Sequence, residues 1–153
     1  MIDAVRARGQ HVNGDLYDAQ IKALARSAHG EGQLVAADVS ATLDNPLCGD
    51  RVRIDATLEG TRIVALRHRV RGCLLCQASA SMLGLRAPGQ EVQQIVQLRD
   101  SLAALLRGGR AELESWPELA VFAPVAAYRS RHACVTLAVE AALAALAGAA
   151  PPD

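Results

Sequence analysis

Between Arg51 and Val70 the chain alternates apolar and polar residues twice, with Glu59-Gly60 between the two runs. In the first run Val52, Ile54, Ala56 and Leu58 fall on one side and Arg51, Arg53 and Asp55 on the other. In the second, Val64, Leu66, His68 and Val70 share a side. Period two marks a strand with one buried face. Glu-Gly between two such strands reads as a hairpin turn. Upstream, Val35 to Leu43 reads as a further strand of small residues, closed by the turn signal Asn45-Pro46. An antiparallel sheet with one apolar face needs a cover, and the remaining sequence supplies it.

After Val70 the period changes. Leu74 to Leu85 is rich in Ala, Leu and Ser without alternation, which predicts a helix starting near Cys73. Val92, Ile95, Val96, Leu102, Leu105 and Leu106 form the strongest helical stripe, stopped by Gly108-Gly109. Ala111 to Val121, with Trp116 and Pro117, reads as a short helical or irregular crossover. Arg131 to Ala147 reads as a final helix with Cys134 in its first turn. Ahead of the strands, Leu16, Tyr17, Ile21 and Leu24 sit at helical spacing in Leu16 to Ser27, and His29-Gly30-Glu31-Gly32 ends that run. One helix, three strands, then several helices predict an α+β domain: a small three-stranded antiparallel sheet with helices packed on one face. The 153 residues suit one domain. Residues 15–149 are expected to form it, with flexible segments at 1–14 and 150–153.

Composition narrows the function classes. Sixteen basic and sixteen acidic residues cancel, and aromatics make up 3%. Nucleic-acid binding draws on a basic footprint and stacking rings, so no nucleic-acid partner is expected. The opening MIDAVRARGQ lacks the apolar core of a signal peptide. The most apolar stretch, Ala133 to Ala150, is interrupted by Glu140 and ends in Pro-Pro-Asp, short of the roughly 20 apolar residues of a membrane span. These readings predict a cytoplasmic protein with no membrane partner. In that compartment disulfides are rare. The four cysteines, Cys48, Cys73, Cys76 and Cys134, therefore point to metal or redox chemistry, or to core packing.

Three short segments hold them. In Asn45-Pro46-Leu47-Cys48-Gly49-Asp50, extended backbone puts Cys48 and Asp50 on one side, able to reach one ion, and Gly49 permits a tight path. The same residues also fit a plain turn into a strand. In Arg71-Gly72-Cys73-Leu74-Leu75-Cys76, Cys73 stands where a strand gives way to a helix. The positive end of the helix dipole there favours a thiolate. The Cys-x-x-Cys spacing also resembles a redox dithiol, without the βαβ context such a site expects. In Arg131-His132-Ala133-Cys134, Arg131 is three residues before Cys134 and positioned to stabilise a thiolate or persulfide. His132 reads either as a ligand or as an exposed first-turn residue, and His68 as a core residue with its polar atoms satisfied. Cys76 has three readings: an inert small core residue, a resolving thiol, or a further sulfur ligand.

The segments NPLCGDRV, GCLLCQASASML and Arg131-x-x-Cys134 resemble the three signature segments of the U-type iron–sulfur scaffold family, the proteins called SufU, IscU and NifU. The resemblance runs from about residue 16 to 146. Cys73 and Cys134 lie 61 positions apart (73 to 134), which, with Arg131 three before the third cysteine, is similar to the SufU branch; the IscU branch places histidine where Ala133 stands. The chain departs from the family at Leu24-Ala25, where a His-Tyr pair is usual, at Ala28-His29-Gly30, where Pro-Arg-Asn is usual, and at Cys76, where serine is usual.

The resemblance implies a ligand set of Cys48, Asp50, Cys73 and Cys134 for zinc or iron, or for a transient [2Fe–2S] or [4Fe–4S] cluster. Three soft sulfurs and one harder carboxylate suit zinc or iron, and Asp50, the hard member, suits release. It also implies a cysteine desulfurase as partner, delivering persulfide sulfur to Cys134, and a downstream iron–sulfur carrier or apo-protein. The expected role is a scaffold rather than a metabolic enzyme. The alternative is a zinc-dependent sulfur acceptor, a sulfurtransferase that passes sulfur to other assembly factors. A purely structural zinc domain fits less well, because Asp50 is present and paired Cys-x-x-Cys knuckles are not.

Overall fold

A computed structural model describes residues 19–110 and 112–148. The segments 1–14 and 150–153, Leu16 and Tyr17 of the opening helix, and Ala111 lie outside the described residues. Helix α1 (Ala19–Ser27) precedes strands β1 (Val39–Asn45), β2 (Asp50–Glu59) and β3 (Arg62–Arg71). Helices α2 (Leu74–Arg86) and α3 (Val92–Leu106) follow, then a 3-10 segment (Pro117–Ala127), a short 3-10 turn (Arg129–Arg131) and α4 (His132–Ala147).

The sheet runs β1-β2-β3, antiparallel throughout. Its inner face carries Val52, Ile54, Ala56, Ile63 and Leu66, all buried. Helix α4 packs on β1 and β2, and α2 packs on β3 and α4, so the sheet's apolar face is covered as the alternation predicts. Helix α4 is buried through Cys134, Val135, Ala138, Val139, Ala141 and Ala142. The stretch Arg129–Ala147 is long and apolar enough to cross a membrane by length and composition; here its apolarity is used against the sheet. Helix α3 opens with a capping box in which the Glu91 N–H donates to Gln94 Oε1 at 2.8 Å. It ends at Gly108, whose φ of +89° continues into a left-handed cap.

Three details differ from the alternation read above. Strand β1 starts at Val39, and Val35 is fully exposed. The Asp38 carboxylate accepts the Leu58 N–H at 2.8 Å, so a side chain takes the next ladder position and residues before it leave the sheet. In β3, Ile63 is buried and Val64 exposed. The register passes from Thr57↔Ala65 to Leu58↔Ile63, leaving Val64 as the extra residue of a bulge that shifts the phase by one. Asp55, expected on the wet side, is buried. It accepts from Ser40 Oγ at 2.7 Å, Leu34 N–H at 3.1 Å and Arg53 Nε at 3.0 Å. Burial raises its pKa, but these hydrogen bonds and the Arg53 charge outweigh it and hold the carboxyl below the usual range.

The segment after α1 closes the free edge of β3. The His68 N–H donates to Gly30 O at 2.9 Å and the Gly32 N–H to His68 O at 2.8 Å. Helix α2 crosses this segment backbone to backbone: a Cβ on Gly30 would lie 2.7 Å from Gly84 Cα, and one on Gly84 would overlap the His29 carbonyl. Only glycine at both positions permits that approach.

Candidate metal centre

The three cysteine segments meet at one end of the sheet. The β1–β2 turn is tied by Asn45, whose Oδ1 accepts the Leu47 N–H at 3.1 Å and whose carbonyl accepts the Gly49 N–H at 2.8 Å. Gly49 has φ +77°, a conformation glycine adopts without strain. This turn leaves Cys48 exposed and puts Asp50, the first residue of β2, inward at 4% exposure. Cys73 is the N-cap of α2, and Cys134 sits in the first turn of α4, buried.

Donor atoms of Cys48, Asp50 and Cys134 all lie within 4.8 Å of one another. Cys73 joins them through Asp50: its N–H donates to Asp50 Oδ1 at 3.3 Å, and its Sγ lies 3.8 Å from Oδ2. Burial, Cys73 and the nearby Asp50 charge push the Cys134 thiol up to about 12, while a hydrogen bond from Arg131 pulls it down. Acidic groups crowded in a partly buried space hold their protons unless a cation replaces them. A tetrahedral zinc site with sulfur ligands at about 2.3 Å has edges of about 3.8 Å. Shifts of about an ångström would close the Cys48, Asp50 and Cys134 donors, all within 4.8 Å, to that value; Cys73 stands outside that group, beside Asp50, and would have to turn toward it. The donor types suit a four-coordinate metal such as zinc or a cluster iron.

Residues 16–146 match the NifU-like N terminal domain family. The chain belongs to that family. Among related proteins, the iron–sulfur cluster assembly scaffold protein IscU of Streptococcus pyogenes serotype M1 is 27% identical over 80% of this chain and 77% of that protein. The zinc-dependent sulfurtransferase SufU of Bacillus subtilis (strain 168) is 27% identical over 66 residues, 43% of this chain and 45% of that one. The crystal structure of a nitrogen-fixing NifU-like protein (N-terminal) from Brucella abortus superposes with a TM-score of 0.85 at 27% identity, covering 89% of this chain and 95% of that one.

In this NifU-like domain the remaining candidates separate from the four. His132 Nε2 lies 3.1 Å from the Val125 carbonyl and 3.2 Å from that of Ala126, so the ring ties α4 to the 3-10 segment. His132 is not part of the Cys48–Asp50–Cys134 group. His68 donates from Nε2 to the His29 carbonyl at 2.7 Å, but its buried Nδ1 has no partner among the described residues. The reading of a fully satisfied core histidine therefore holds for one nitrogen only. Cys76 is fully buried in the core, and burial drives its thiol pKa far up.

Three residues of the GCLLCQASASML segment position the site in ways the sequence reading did not assign. Gly72 leaves room for Asp50: a Cβ there would lie 2.9 Å from the carboxylate. Gln77 Nε2 donates to the Gly72 carbonyl at 2.9 Å and pins the strand-to-helix corner. Ser79 Oγ donates to the Val135 carbonyl at 2.7 Å inside the core, locking the two cysteine-bearing helices together. The glycine before Cys73 was a visible signal; the partners of Gln77 and Ser79 are set only by packing.

Proposed function

We propose that this NifU-like domain is a scaffold for iron–sulfur cluster assembly, holding iron or a nascent [2Fe–2S] or [4Fe–4S] cluster through Cys48, Asp50, Cys73 and Cys134. The observation that carries the reading is the meeting of Cys48, Asp50 and Cys134 within 4.8 Å, with the Cys73 Sγ 3.8 Å from Asp50 Oδ2. The gradient of exposure, from Cys48 outside to Cys134 inside, suits a site that is loaded and unloaded at its rim. Asp50 is the hard donor among soft ones and binds a soft metal least persistently. The name of the Streptococcus pyogenes relative, an iron–sulfur cluster assembly scaffold protein, supports the same role.

In this proposal a cysteine desulfurase supplies the sulfur. The Cys134 thiolate attacks the terminal sulfur of the donor's persulfide. The donor's S–S bond breaks, its cysteine leaves as a thiolate, and a new S–S bond forms on Cys134. Arg131, which favours the charged form of Cys134, stabilises thiolate and persulfide alike. A downstream carrier or apo-protein takes the product, in a cytoplasmic setting that keeps the thiols reduced.

A second reading is a zinc-dependent sulfur acceptor. It is favoured by Arg131, which favours the charged form of Cys134, and by the local similarity to the Bacillus subtilis protein. Bound zinc would supply positive charge that keeps thiols ionised at neutral pH. Metal and sulfide analysis with an anaerobic absorption spectrum separates the two. Iron with acid-labile sulfide and visible charge-transfer bands, after incubation with ferrous iron, cysteine and a desulfurase, is the result expected of the scaffold. One zinc per chain with sulfur uptake and no visible bands identifies the acceptor. Neither metal nor sulfur uptake overturns both.

A further inference from the structure

The outer face of the sheet is strongly basic although the chain as a whole is neutral. The alternation places Ser40, Thr42 and Asp44 of β1, Arg51, Arg53 and Asp55 of β2, and Arg67, Arg69 and Arg71 of β3 on the side away from the helices. Five arginines face two aspartates, a formal excess of three positive charges. The register sets Arg67 opposite Asp55 and Arg51 opposite Asp44, and it sets Arg51↔Arg71 and Arg53↔Arg69 directly opposite one another. Like charges in such cross-strand positions repel, so the fold itself does not favour this arrangement. Asp44 is taken by Arg51 at 2.7 Å and Asp55 by Arg53 at 3.0 Å. Arg69 donates to the neutral Gln33 Oε1 at 2.7 Å. Among the described residues no carboxylate is in ion-pair contact with Arg67, Arg69 or Arg71. A depression of about 370 Å³ lies among Thr42, Arg51, Arg53, Arg69, Val70 and Arg71.

From this geometry we infer that the outer sheet face docks an extended acidic segment of a partner protein, its carboxylates at alternate positions paired with Arg67, Arg69 and Arg71. Residues two apart on a strand repeat at about 6.8 Å on one face. An extended segment with Asp or Glu at every second position has the same repeat. Guanidinium groups bind carboxylates through two parallel hydrogen bonds, which suits discrete acidic side chains. A nucleic-acid strand is disfavoured, because among the described residues the face holds no aromatic side chain for stacking and Asp44 and Asp55 interrupt the positive field. The strip ends at Arg51 and Arg71, each one residue from the metal centre at Asp50 and Gly72. A partner held there is brought to the end of the sheet where the cysteines lie; that last link rests on the proposed function, whereas the docking itself does not.

The test uses the full chain and a fluorescein-labelled Ser-Glu repeat peptide, with binding read by anisotropy at low and high salt. Wild type is expected to bind the peptide with an affinity that falls as salt rises. The triple variant Arg67→Gln/Arg69→Gln/Arg71→Gln is expected to bind about tenfold more weakly or worse. Arg99→Gln, on α3, is expected to bind as wild type does. No binding by wild type, or equal binding by the triple variant, overturns the inference. So does tighter binding of duplex DNA or phosphatidylserine vesicles than of the peptide. Zinc content and far-ultraviolet circular dichroism are measured on every protein. Loss of peptide binding with zinc and fold retained supports the docking face independently of the metal centre. Failure of every protein to take up metal ends the metal reading and leaves the peptide titration to decide this one.

Discussion

Gly72 and Asp50 are fitted to each other across the β2–β3 pair: a Cβ on residue 72 would stand 2.9 Å from both Cγ and Oδ1 of the carboxylate. The carboxylate must move if that glycine gains a side chain, and it would lose the Cys73 N–H that now holds it. Gly72→Ala is therefore expected to weaken zinc or iron binding about tenfold or more, the scale at which second-layer contacts act on a metal site. Competition with a chromophoric chelator measures the affinity, and circular dichroism checks the fold. Unchanged affinity would show that Asp50 is not held in place by this fit.

Asp50→Ala removes the hard donor and keeps three sulfurs. The expected outcome is slower release of a reconstituted cluster, followed as decay of visible absorbance in the presence of an apo-acceptor. Faster loss than wild type would make Asp50 an anchor and end the argument for release.

Cys76 packs in the core at zero exposure. Cys76→Ser exchanges a small hydrophobe for a hydroxyl that must find a partner, at a cost of about 1–3 kcal/mol when it does not. Metal content and sulfur uptake are expected to stay at wild-type levels while the urea midpoint falls. Loss of metal would make Cys76 a ligand, and slowed sulfur transfer with metal intact would make it a relay.

Ser79→Ala removes the side-chain donor to the Val135 carbonyl, which keeps its helical N–H partner within α4. The expected destabilisation is about 0.5–1.5 kcal/mol, read by urea denaturation. Because the bond ends one residue from Cys134, the variant is also expected to bind metal more weakly than its residual stability alone explains. Wild-type affinity in the folded variant would limit Ser79 to a packing role.

His68 gives the fold a pH dependence of definite sign. Burial lowers its pKa below 6.5, outweighing the His29 carbonyl and the Glu31 charge, which favour the protonated form. The unfolded chain takes up the proton near 6.5 and the folded one resists it. Below that pH the unfolded state binds more protons, so stability is full above it and is lost as pH falls toward the folded pKa. The melting temperature is expected to drop from well above pH 6.5 to about one unit below it. A His68→Gln variant is expected to show a smaller drop over the same interval. Equal drops in the two proteins would remove His68 as the cause.

The element order was legible because periodicity is local: strand alternation, the change of period after Val70 and the stripe of α3 each come from near neighbours. The errors were local in a different way. The Val64 bulge and the late start of β1 depend on what pairs with them, on the shift at Thr57/Leu58 and on the Asp38 carboxylate. Asp55 read as solvent-facing because alternation assigns a side and does not show that Leu34 and Ser40 close over that side.

For the candidate site, the sequence by itself determined the candidate donors and the elements that carry them: a turn for Cys48 and Asp50, and two helix starts for Cys73 and Cys134. Backbone periods and caps act over a few residues, so they are readable in order along the chain. Only the tertiary structure decided that these three segments, up to 86 positions apart (48 to 134), converge at one end of the sheet. That convergence is set by α4 packing on β1 and β2, by the Ser79–Val135 bond and by the space Gly72 leaves for Asp50. Each is a contact between residues distant in sequence, and close packing of a whole core, not any local preference, determines which of them meet.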